Sequence, residues 1–111
     1  VPRWTSRPQL GVKQWVEGYF SKPRKVRDVG VYWMQDQQDV KFPKEWSLEV
    51  RNKGEWKPFE LYVTDRYDNR ANQYNVVHPA APLTCDAIRI NMTPQENASV
   101  GILEIQVKFE K

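Results

Sequence analysis

Apolar and polar residues alternate along this chain in short bursts. Trp46, Leu48 and Val50 alternate with Ser47, Glu49 and Arg51, while Val29, Val31 and Trp33 share one face of Val26 to Trp33. Ile88 and Ile90 point one way and Arg89 the other within Ala87 to Met92. Leu103, Ile105, Val107 and Phe109 line one side of the last segment, Gly101 to Phe109. Trp15 to Phe20 reads as a first strand ended by Ser21-Lys22-Pro23, Trp56 to Leu61 as a return strand, and Gln73 to His78 as a strand of ambiguous parity. Asn52-Lys53-Gly54 reads as a hairpin turn, because Gly54 can take the positive φ that such turns require. No window holds a 3.6-residue period for long. The pattern predicts about seven short strands and no helix, an all-β antiparallel β-sandwich or jelly roll.

If consecutive strands run antiparallel, their connections alternate between the two ends of the sandwich. Ser21–Lys25, Asn52–Glu55 and Pro79–Asp86 then fall at one end, mostly as tight turns. Ser6–Gln14, Gln35–Phe42, Tyr62–Asn72 and Thr93–Val100 fall at the other. Long polar loops gathered at one end of a rigid scaffold make a natural binding surface.

Composition adds a core to this outline. The 111 residues suffice for a single domain, 1–111, and include five Trp, five Tyr and four Phe. Trp33, Trp46 and Trp56 fall on strand patterns and are read as core. The one cysteine, Cys85, excludes an intrachain disulfide and a Cys-based metal cage, and is expected to be buried and inert. A net charge of +3, scattered among acids, is too weak and dispersed for a nucleic-acid footprint. No apolar run reaches membrane-spanning length and no signal-peptide pattern is present. The start at Val1, within what reads as folded sequence, suggests a fragment of a larger protein whose export signal lies upstream.

Catalysis finds little support. The single histidine, His78, has no second His or thiol near it in sequence. No nucleophile elbow, phosphate loop or zinc-protease motif occurs. Asp36, Asp39, Asp65 and Asp68 are loop residues, and glycosidase chemistry needs two carboxylates facing each other across a cleft. Binding is better supported. "QDQQDVKF" (Gln35 to Phe42) and "YVTDRYDNRANQ" (Tyr62 to Gln73) mix carboxylates, amides, Arg and Tyr. Charged acceptors and forked donors suit the hydroxyls of a sugar, and an aromatic ring suits its C–H face. The predicted contacts are Asp36, Gln38 and Asp39 in one loop, Arg66, Tyr67 and Arg70 in another, and Asn97 in a third.

Several segments resemble a known family. "RWTS" at Arg3 to Ser6, "QWVEGYFSKPRKVRDVGVYW", "LEVRNKGEWKPF", "AIRI" and "VGILEIQV" occur in the order found in discoidin-like, or coagulation-factor C-type, domains. More narrowly they resemble the C-terminal, carbohydrate-module-like domain of bacterial glycosidases related to β-L-arabinofuranosidases. The resemblance covers Arg3 to Phe109. It departs where Gly18 stands for a usual Tyr, where "QDQQDVK" replaces a Gly-rich loop, and where the strand expected before "RWTS" is missing. It implies a galactose-binding-domain-like jelly roll that is secreted, binds an oligo- or polysaccharide, and accompanies the catalytic domain of the same polypeptide. It also implies packing roles for Trp4 and Trp15, and a structural calcium held in part by Glu104. The expected function is a non-catalytic, monomeric carbohydrate-binding accessory module without nucleic-acid or membrane partners. The alternatives are a structural domain packed on its enzyme, or a surface-adhesion domain. The polar loops argue against lipid binding.

Overall fold

A computed structural model describes residues 4–111. Its strands are β1 (Trp4–Thr5), β2 (Gln14–Trp33), β3 (Glu45–Asn52), β4 (Glu55–Pro58), β5 (Tyr74–Val77), β6 (Leu83–Thr93) and β7 (Gly101–Phe109). All strand pairs are antiparallel, in the order β1-β7-β2-β6-β3-β4, with β5 on β2. The expected all-β architecture is the one observed.

The organising element is β2, which replaces two expected strands. Its first part, Gln14 to Tyr19, pairs with β6, and its last part, Val29 to Tyr32, lies between β5 and β7. The Ser21-Lys22-Pro23 break is therefore a bulge inside one long strand. The ladder to β6 jumps there from Tyr19/Ala87 to Arg24/Cys85. Pro23 can donate nothing to a ladder, so it sits where none is needed, and the extra residues bend the strand from one layer into the other.

The inward positions follow the alternation. Val29, Val31, Trp33, Leu48, Val50, Ile88 and Ile90 are all buried. β5 settles its parity with Asn75 and Val77 inward and Tyr74 and Val76 outward. At the core centre, Trp33 and Trp46 meet edge to face at 5.4 Å, and Trp46 meets Tyr67 at 4.8 Å. Trp33 Nε1 is buried with no hydrogen-bond partner among the described residues. Leaving such a donor unpaired costs roughly 1–3 kcal/mol, which burying an indole, worth about 4–6 kcal/mol, outweighs. Trp4 packs against this core at partial exposure. Cys85 is fully buried, and burial pushes its thiol up to about 11.

Two of the five tryptophans are not core residues. Trp15 is 63% exposed. Trp56 lies half-buried on the outer face of the sheet, beneath the Arg89 guanidinium at 4.0 Å. The reason is parity. Trp15 shares its side of β2 with Glu17 and Tyr19, while Val16 and Phe20 take the inner positions.

The predicted hairpin forms, with Asn52 paired to Glu55 and positive φ at Lys53 (53°) and Gly54 (79°). Two successive positive-φ residues match the type I′ geometry that fits strand twist.

Candidate functional site

Three loops meet at the end of the sandwich where β2 and β3 begin. The loop 6–13 is tied to 94–100 by Gly11 N–H to Ala98 O (2.8 Å), Ser6 N–H to Val100 O (2.9 Å) and the Ser99 hydroxyl to Gln9 O (2.6 Å). The loop 35–42 joins them through Ser99 N–H to Asp39 O (2.8 Å) and Lys41 N–H to Ser99 O (3.0 Å). Ser99 and Val40 are fully buried beneath this junction. The loops are thus one backbone-stitched surface.

Arg7, which sequence reasoning missed, is the charged centre of that surface. Its guanidinium donates to Asp39 Oδ1 at 2.6 Å, to Asp36 Oδ2, and to Gln38 Oε1 at 3.5 Å. The predicted trio Asp36, Gln38 and Asp39 is brought together, but around an internal cation. The hydrogen bond from Arg7 to Asp39, the largest influence, raises the Arg7 pKa. Asp36 is desolvated, which pushes its carboxyl up. The amides of Gln38 (2.9 Å) and Val40 (3.0 Å) and the Arg7 guanidinium outweigh that and leave it below the usual carboxylate range. A fork of fixed donors and acceptors with little net charge suits a neutral polyhydroxyl ligand.

The second predicted loop behaves differently. The ring of Tyr67 packs on Trp46, and its hydroxyl accepts from Leu48 N–H (3.2 Å) and donates to Phe59 O (3.3 Å). That fixes the ring as a lid on the core and withdraws it from stacking on a ligand. Asn69 Nδ2 donates to Pro43 O (2.9 Å), Trp46 Nε1 donates to Asp68 O (2.7 Å), and the Asn75 side chain anchors both backbone groups of Arg70. Arg66 and Arg70 are left exposed at the surface of this loop. Asn97 is an exposed, positive-φ turn residue (55°) at the tip of the third loop. His78 serves structure, with its backbone N–H (2.5 Å) and ring Nδ1 (3.0 Å) both on Asp65 Oδ2.

Glu104 is the residue that the resemblance implies for a structural calcium. It is exposed opposite Tyr32 on β2 and is the hydrogen-bond partner of the Tyr74 hydroxyl, whose pKa that bond raises. Among the described residues, no group of three or more His, Cys, Asp or Glu side chains could hold a metal ion.

The outer face of β2, β6 and β3 is a second ordered surface, also missed from sequence. Register places Trp15, Asn91 and Ser47 in one row across the strands and Glu17, Arg89 and Glu49 in the next. Arg89 donates to Glu17 Oε2 (2.7 Å) and Glu49 Oε1 (3.2 Å), and Asn91 Nδ2 donates to the same Glu49 oxygen (2.8 Å). The Tyr19 hydroxyl, the largest influence, and Arg89 together hold Glu17 below the usual carboxylate range. Arg51, paired with Asp86 (2.9 and 3.1 Å), holds Asp86 low in the same sense. The signal was available in Trp15 and Glu17 lying two residues apart on one side of the strand, because a carboxylate marks its side as outward.

These lowered carboxyls predict acid sensitivity. Asp36, Glu17 and Asp86 bind protons more weakly when folded, so their contribution is complete above the unfolded values, about 3.9 for Asp and 4.3 for Glu. It is lost as pH falls through the folded values. The urea midpoint is expected to be level between about pH 5 and 7 and to decline below about pH 4. A midpoint unchanged to pH 2 would contradict these pairings.

With the geometry established, likeness to known proteins gains meaning. The family model for the F5/8 type C domain matches residues 2–105. No curated protein matches the chain. Among solved structures, a chain from the Streptococcus pneumoniae beta-galactosidase superposes with TM-score 0.76 at 15% identity, covering 98% of this chain and 80% of that one. The family 32 carbohydrate-binding module of Clostridium perfringens NanJ, solved in complex with galactose, gives 0.73 at 16%, covering 95% and 74%. CBM32-3, from a family 31 glycoside hydrolase of Clostridium perfringens, gives 0.70 at 15%, covering 97% and 75%. At such identities the superpositions establish the shared jelly roll.

Proposed function

The chain belongs to the F5/8 type C domain family, and from that premise we propose that it is a non-catalytic carbohydrate-binding module attached to a secreted bacterial glycoside hydrolase. It works as a monomer beside the catalytic domain of the same polypeptide. The order of motifs from "RWTS" to "GILE" supports a host enzyme related to β-L-arabinofuranosidases. Structural neighbours named as carbohydrate-binding modules support the binding role.

The observation that carries the reading is the stitched loop end, where Arg7 holds Asp36 and Asp39 in a fixed fork. A vicinal diol can accept from the guanidinium and donate to a carboxylate without bringing charge of its own. Contacts are expected from Asp36, Gln38 and Asp39, with Asn97 beside them and Arg66 and Arg70 at the margin. A monosaccharide has about a dozen heavy atoms, and at ~0.3 kcal/mol per atom binds with only ~4 kcal/mol, a millimolar dissociation constant. Capture then depends on multivalent substrate or on attachment to the enzyme.

Titrating galactose, arabinose and their oligosaccharides into ¹⁵N-labelled protein tests this. Amide shifts are expected to cluster in residues 6–13, 35–42 and 94–100. If no residue shifts at tens of millimolar sugar, the chain is a structural domain packed on its enzyme.

A further inference from the structure

The outer sheet face carries an open trough of about 520 Å³ that the loop-end reading does not use. β6 forms its floor, with Trp15 of β2 on one side and Ser47 and Glu49 of β3 on the other. We propose that this trough is a second sugar-contact surface, taking one ring of a neutral oligosaccharide stacked on Trp15 with its hydroxyls on Glu49 and Asn91. The inference rests on the carbohydrate-binding reading and extends it to a surface away from the loop end.

Three observations select this occupant. Trp15 is 63% exposed, with the Arg89 guanidinium 5.8 Å from its ring centre and no aromatic ring paired with it among the described residues, whereas Trp33 and Trp46 are buried against each other. An indole left open to solvent beside polar groups offers a flat apolar surface for C–H bonds. Across β6 from it, in the neighbouring row, Glu49 Oε1 is fixed by Arg89 and Asn91, while among the described residues Glu49 Oε2 and Asn91 Oδ1 accept nothing. Two acceptors on diagonal neighbours, held together by the Asn91–Glu49 hydrogen bond, match two hydroxyl donors on neighbouring ring carbons. Charge then decides the class of glycan. Glu45 and Glu49 line the trough against Lys13, and Arg89 is already divided between Glu17 and Glu49. The excess is negative, so a uronate-rich chain is repelled and a neutral one admitted. At about 520 Å³ the trough falls within the range of small-ligand sites.

The test titrates a neutral galacto-oligosaccharide and, separately, an oligogalacturonate, following the Trp15 indole N–H and the amides of Glu49 and Asn91. The neutral sugar is expected to shift all three, and the acidic one none. Trp15→Ala is expected to weaken that response about tenfold while leaving the urea midpoint unchanged, and the wild-type indole signal serves as a readout that needs no variant. Shifts confined to residues 6–13, 35–42 and 94–100, with the Trp15 indole unmoved, would overturn the second surface and leave the module reading intact. No shift anywhere would end both. A concentration-dependent dimer that Trp15→Ala dissolves would make the face an interface between copies and overturn the proposal.

Discussion

Trp46→Ala is expected to lower the free energy of unfolding by about 3–5 kcal/mol, the range for truncating a core Trp. Trp46 is only 4% exposed and lies between Trp33 and Tyr67, so truncation empties the centre of the aromatic cluster. The surrounding β-ladder can close over little of that space, since Trp46 and Leu48 pair with Met92 and Ile90 in fixed register. The change also removes the indole donor to Asp68 O, which pins the 62–72 loop to the body of the domain. Urea unfolding of the two proteins, monitored by circular dichroism, measures the difference. A variant that keeps its midpoint and loses sugar binding instead would make Trp46 a ligand platform.

Gly101→Ala is the second large effect, expected at roughly 1–3 kcal/mol of destabilisation, the range for overfilling a packed interior. A Cβ on Gly101 would stand 2.8 Å from Val40 Cγ1 and 3.3 Å from both Met34 Cβ and Thr5 Cγ2. Val40 is fully buried and bridged to Ser99, so it has nowhere to retreat. Unlike the tryptophan, this glycine couples stability to the proposed site. The residues it would displace begin or support the loop 35–42, and Met34 N–H bonds to Gly101 O at 2.8 Å. Added to the lowered midpoint, faster amide exchange at Asp39, Lys41 and Ser99 is therefore expected. Unchanged exchange there with a lowered midpoint would show that the loops hold together without this contact.

The two variants bear on one division in the molecule. The core is a cluster centred on Trp46, whose ring meets both Trp33 and Tyr67, so damage there spreads across the domain. The loop end is held by backbone hydrogen bonds, the Ser99 hydroxyl and the Arg7 guanidinium. Its weak point is the close approach at Gly101.

Strand identity and facing were legible in the sequence because period-2 alternation is local. The inward sets Val29/Val31/Trp33 and Trp46/Leu48/Val50, the Lys53-Gly54 turn and the buried Cys85 all follow from residues within a few positions of one another. The clustering of Asp36, Gln38 and Asp39 in one loop was legible for the same reason. Tertiary structure decided the rest. Ser21-Lys22-Pro23 reads as a stop, and becomes a bulge only because β6 and β7 continue the pairing on either side. Tyr67 reads as an open ring, and becomes a core lid because Trp46, 21 positions earlier, lies against it. Trp15 is expected in the core from the family resemblance, yet its partners across the sheet, Asn91 and then Ser47, put it on a wet face. Arg7 reads as an ordinary surface charge until the fold sets it against acids 29 and 32 residues away. Alternation is determined by each strand's own residues, whereas exposure, ion pairing and ring availability depend on which distant strand arrives alongside, and only the folded register supplies that.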